Sequence, residues 1–111
     1  MTDEEINGIE RCLLRLLCDG ASGAELRAEV LTRLRGYAFR RVEHQVLFDC
    51  LQGMPMDRPE LLRELLPARL VLAGFPEFDL TPYFELPGES HGLSAQEAQE
   101  LCEALTRSQL L

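Results

Sequence analysis

The sequence predicts an all-α protein: a compact bundle of about six helices, some of them short, forming a single helical domain over residues 1–111. Three observations predict it. Leucine dominates the apolar residues, β-branched residues are few, and strand-like alternation is hard to find. Apolar residues recur three or four positions apart, the spacing of one helix face. Three capping boxes mark helix starts, at Thr2–Glu5, Ser22–Glu25 and Ser94–Glu97. In each, hydroxyl and carboxylate satisfy amides that a first turn leaves without partners.

The first helix is expected from about Asp3 to Leu17, with Ile6, Ile9, Leu13, Leu16 and Leu17 on its inner face and Asn7, Arg11 and Arg15 opposite. Glu10 breaks the pattern, because it points toward the apolar side. The second helix, about Ala24 to Arg35, turns Leu26, Val30, Leu31 and Leu34 inward and stops at Gly36. The third, about Arg41 to Gln52, gathers Val42, Val46, Leu47, Cys50 and Leu51 and is ended by Gly53 and Pro55.

Asp57 and Pro59 open a fourth helix, PELLRELL, which Pro67 is expected to interrupt; a short helix through ARLVLA then runs to Gly74. Thr81 and Pro82 suit the cap and first position of one more turn, PYFEL, and PGESHG is a turn-rich connector. The last helix, about Ala95 to Arg107, places Ala98, Leu101 and Leu105 inward and Glu97, Glu100 and Glu103 outward, and Leu93 is positioned to staple onto Ala98.

Composition narrows the function classes. With 46% hydrophobic and 27% charged residues, the chain is globular in character, and without Trp its core must be mainly aliphatic. All eleven basic residues are arginine, and the net charge is −8, which disfavours nucleic acid and anionic membranes as partners. Charge is uneven: seven acids face one base after Phe75, whereas residues 27–41 hold five arginines and one acid.

No apolar run approaches the roughly 18–20 residues of a membrane span. The acidic start MTDEEING lacks the features of a signal peptide, so a cytoplasmic location is expected. Cys12, Cys18, Cys50 and Cys102 form no Cys-x-x-Cys pair, and neither His44 nor His91 completes a zinc-like spacing. Reduced structural thiols are expected, with no metal and no cofactor.

The stretch AFRRVEHQVLFDCL, residues 38–51, holds the strongest candidate chemistry. His44 sits at the edge of an apolar face near Phe48, and Glu43 falls in a first turn, where the helix dipole favours it. No nucleophile in a recognisable context accompanies His44, so no enzyme is expected. A carboxylate directed inward, as Glu10 is, needs a partner, because burying it alone costs several kcal/mol. Arg40, Arg41 or His44 could supply one. The expectation is a structural polar joint of Glu10, Arg41 and His44 that ties the first helix to the entrance of the third.

Two stretches carry a family resemblance: ERCLLRLLCD at residues 10–19, and Phe39 followed by EHQVLFDCL at residues 43–51. Together they resemble the amino-terminal domain of DnaB-type replicative DNA helicases, and equally the helicase-binding domain at the carboxy end of bacterial DnaG-type primases. The matching positions are Glu10, Leu13, Leu17, Asp19, Phe39, His44, Val46, Phe48 and Leu51. The resemblance spans residues 5–55 well and Pro59 to Leu80 more loosely.

It implies an all-helical, non-catalytic module that builds a helicase collar or lets primase dock on it. The implied partner is a replicative helicase or primase, with a homodimer as a further option. Arg40, Arg41, Glu97, Glu100 and Glu103 are the expected interface residues. Two other readings stay open: a small nucleic-acid-binding regulator using the Arg27–Arg41 surface, and an unrelated helical adaptor.

Overall fold

Leu13, Leu14, Leu17 and Cys18 are completely buried, and Ile6 and Leu16 nearly so. A buried face that broad cannot be covered by one neighbour, so the first helix has to be central. The computed structural model describes residues 2–18, 24–54, 59–80, 83 and 94–110. Among them it has five helices and no strand: α1 Asp3–Cys18, α2 Ala24–Leu34, α3 Val42–Gln52, α4 Pro59–Leu72 and α5 Ala95–Leu110. α1 touches all four others; α2 also packs on α5, and α3 on α4. The radius of gyration is 13.2 Å, the size of a tightly packed chain of this length, about 13 Å.

The chain is therefore all-α, as predicted, with differences in detail. At the start of α1 the Glu5 amide donates to the Thr2 hydroxyl at 3.2 Å. At the start of α5 the box closes in both directions: the Glu97 amide donates to Ser94 Oγ at 3.1 Å, and the Ser94 amide to Glu97 Oε1 at 3.3 Å. Ser22, Leu93 and most of the PYFEL turn lie outside the described residues.

Three corrections have physical causes. The fourth helix does not break at Pro67; α4 runs through it to Leu72. Proline removes one amide donor and crowds the carbonyl four residues earlier. The continuous row Leu62, Leu66 and Leu70, all buried, anchors the helix on both sides of that defect. α4 then ends in a Schellman motif on Gly74 at φ +95°. The Phe75 amide donates to the Leu70 carbonyl at 2.9 Å, and the Gly74 amide to that of Val71 at 3.0 Å.

The inner face of α3 is rotated from the one expected. Val42 is 68% exposed, and the buried set is His44, Leu47, Phe48 and Leu51, itself a full helical stripe. The polar partner of His44, described below, fixes that rotation. In α5, finally, the buried row is Ala98, Cys102 and Leu105, while Leu101 is only half-buried. Cysteine serves there as a small hydrophobe.

Candidate functional site: a buried carboxylate knot beside an open groove

Glu10 occupies a position on α1 that faces the core, and its side chain is fully buried. Burial is tolerable because three donors converge on the carboxylate. Oε1 pairs with His44 Nδ1 at 2.8 Å. Oε2 accepts from the Tyr37 hydroxyl at 2.6 Å and from the Arg40 backbone amide at 2.9 Å. An ionised carboxylate can only accept, so His44 carries its proton on Nδ1. Burial pushes the Glu10 carboxyl upward, but the bonds from His44, Tyr37 and the Arg40 amide outweigh it and hold the group below its ordinary value. The Tyr37 hydroxyl is raised, first by burial and then by its bond to Glu10.

The knot works because the chain between α2 and α3 bends around it. Gly36, at φ +90°, ends α2 and lets the chain turn. Phe39 then packs its ring on Phe48 with centroids 5.0 Å apart and meets Tyr37 edge-on at 5.0 Å. The Phe39 amide is held by Gln45 Oε1 at 2.9 Å. Gln109 of α5 grips the same bend from outside, accepting from the Ala38 amide and donating to the Ala38 carbonyl, each at 3.3 Å.

The structure joins Glu10 to His44 and leaves Arg41 out of the joint. The Arg41 guanidinium turns outward to Glu43 at 3.5 Å. Arg40 contributes its amide to the knot, while its guanidinium pairs with Asp3 at 3.2 Å. His44 meets Tyr83 edge-on, with centroids 6.4 Å apart, while the ring of Phe48 is taken by Phe39. On α5, Glu97 belongs to the capping box, Glu100 accepts from Gln96, and Glu103 accepts from Gln99 beside Arg107. None of these glutamates pairs with Arg40 or Arg41 among the described residues.

Tyr37 and Gln45 are the positions of the knot and its bend that sequence reasoning missed. The available signal was that a buried tyrosine needs a partner for its hydroxyl.

Tyr83 leads from the knot to the surface. Its ring lies 6.1 Å from that of Phe78, and both line a groove of about 660 Å³. Arg11 of α1 and Arg41 and Glu43 at the start of α3 form one part of the lining; the segment after α4, including Phe75, Glu77 and Asp79, forms another. Such a mixture of rings and charges suits recognition of a partner that is apolar with polar edges.

The thiols are quiet. No disulfide joins the four cysteines, and burial raises Cys12, Cys50 and Cys102, the last to about 11. Among the described residues no three His, Cys, Asp or Glu side chains are placed to hold a metal ion, and no helix is long and apolar enough to cross a membrane.

The arginines of residues 27–41 do not form an open basic face. Arg27 is buried; Arg33, Arg40 and Arg41 each lie against an acid. No protein-family model, curated protein or solved structure matches this chain.

Proposed function

We propose that this chain is a non-catalytic, cytoplasmic protein-interaction module of the helicase- and primase-docking kind, acting in the assembly of a bacterial replicative helicase with its primase. The observation that carries the reading is the division between a sealed interior and a groove that is open. The Glu10 carboxylate is fully buried and takes three donors from the chain's own groups. The groove instead offers the half-buried Phe75 and Phe78 between charged edges, over the buried Tyr83. The family resemblance supports the partner class: of its matching positions, Glu10, Leu13, Leu17, Phe39, His44, Phe48 and Leu51 are all buried. They are thus positions that specify a scaffold. Arg41 stands on the groove wall, and Arg40 and the acidic face of α5 offer further contacts.

The nucleic-acid reading is weaker. Three of the five arginines it relies on are neutralised by acids and one is buried, and the net charge of −8 repels phosphate.

The test is a titration of the purified chain against purified replicative helicase and, separately, primase, followed by calorimetry. Saturable binding to either, weakened by Phe78→Ala and by Arg41→Glu, is the expected result. Absence of binding to both at about 100 µM would end the docking reading. Salt-dependent binding to DNA would replace it with the regulator reading.

A further inference from the structure

α4 buries one narrow row, Leu62, Leu66 and Leu70, and leaves a second apolar row without a partner among the described residues. Leu65 is 40% exposed and Leu72 86% exposed. Ala68 is also exposed and Leu61 half-buried. Leu61, Leu65, Ala68 and Leu72 follow one another at steps of four, three and four, the recurrence of a coiled-coil seam. At about 100° per residue they fall in a strip roughly 60° wide, about a third of a turn from the row that faces the core. Ala68 in the middle allows close approach of another helix.

The flanking charges say which helix. Glu64 precedes the seam position Leu65, and Arg69 follows the seam position Ala68. Both are exposed and neither has an ion pair within the chain among the described residues; the Arg69 guanidinium lies beside Gly53 at the end of α3 and swings from there to reach a partner. In a parallel pair of helices, the residue before a seam position faces the residue five further along in the partner. Glu64 of each copy then meets Arg69 of the other, twice by symmetry. An antiparallel pair would set glutamate against glutamate and arginine against arginine.

We propose that this face of α4 is the interface of a parallel two-fold dimer, covered by α4 of a second copy of the chain. The inference stands apart from the docking reading above. The seam is about 16 Å long, and two chains of net charge −8 repel each other. The dimer is accordingly weak, with a Kd on the order of tens to hundreds of micromolar.

Sedimentation equilibrium over about 10 µM to 1 mM tests this. The mass is expected to rise from the 12.6 kDa of one chain toward twice that value. Leu72→Glu, on a side chain that supports no core contact at 86% exposure, should keep the helical circular dichroism and abolish the rise. Glu64→Arg and Arg69→Glu should each weaken association about tenfold, and the two together should restore it. Leu72→Cys should cross-link between copies under mild oxidation, beyond any cross-linking of the parent chain, since parallel pairing brings position 72 against itself. A mass of 12.6 kDa at every concentration, a dimer indifferent to Leu72→Glu, or a double reversal no better than the singles would each overturn the proposal.

Discussion

Glu10→Gln isolates the energetic role of the buried carboxylate with almost no change of shape. In the parent protein two oxygens accept three bonds, from His44, Tyr37 and the Arg40 amide. Glutamine keeps one oxygen, which can still serve Tyr37 and Arg40. Its amide nitrogen then faces His44 Nδ1, which must surrender its proton there to accept. A bond to an ionised group contributes about 1.5–3 kcal/mol and a neutral one about 0.5–1.5. Three such downgrades amount to about 3 kcal/mol, a large part of the roughly 5–15 kcal/mol that holds a domain folded. Urea titration followed by helical circular dichroism measures it, with the midpoint falling and the slope unchanged.

The same variant fixes the pH dependence. The Glu10 carboxyl lies below its ordinary 4.5 in the folded chain. Its contribution is therefore complete above that value and is lost as pH falls through the lower, folded one. The difference in stability between parent and variant should be constant near neutrality and close as pH drops below 4.5. Tyr37→Phe, which removes one donor and leaves the carboxylate two, should lose about 1–2 kcal/mol and combine with Glu10→Gln less than additively. A gap under about 0.5 kcal/mol at neutral pH, or one that does not narrow in acid, would refute the reasoning.

Three further substitutions probe the frame around the knot. Arg27 is 2% exposed, and its Nε and Nη1 atoms have no hydrogen-bond partner among the described residues. Arg27→Met should raise stability by about 1–3 kcal/mol in thermal unfolding, and a loss would show that its charge is compensated. Pro67→Ala restores an amide inside α4 at an exposed position and should add about 1–2 kcal/mol, read from the same melts. Gly74→Ala forces a side chain into φ +95° and should remove about 1 kcal/mol, with faster amide exchange in the last turn of α4.

Legibility followed the range of the forces involved. Capping at Ser94 and the stop at Gly74 are decided within a few residues, and both could be read from the chain. The inward Glu10 was legible as an anomaly, since a glutamate among Ile6, Leu13 and Leu17 has no ordinary explanation. Its donors were only partly legible. A guanidinium from Arg40 or Arg41 was the obvious partner on charge, yet the bend after Gly36 presents the Arg40 amide instead and sends both guanidinium groups outward.

Val42 was misplaced for a related reason. A valine at the start of a helix reads as core, but the bond from His44 to Glu10 decides which side of α3 turns in. Pro67 was read by its local rule, and the long-range burial of Leu62, Leu66 and Leu70 prevailed. The groove had no sequence signal, because Arg11, Arg41 and Phe78 meet only after the chain has folded.

The grip of Gln109 on Ala38 joins positions 71 residues apart. That bond and the knot clamp the bend between α2 and α3 from its two sides, and Arg41 on the groove wall follows the bend directly. Both contacts restrain this flank of the groove. Were a ligand to bind there, ordering that flank would cost little entropy, and selectivity would rest on fit to a surface already shaped by the fold.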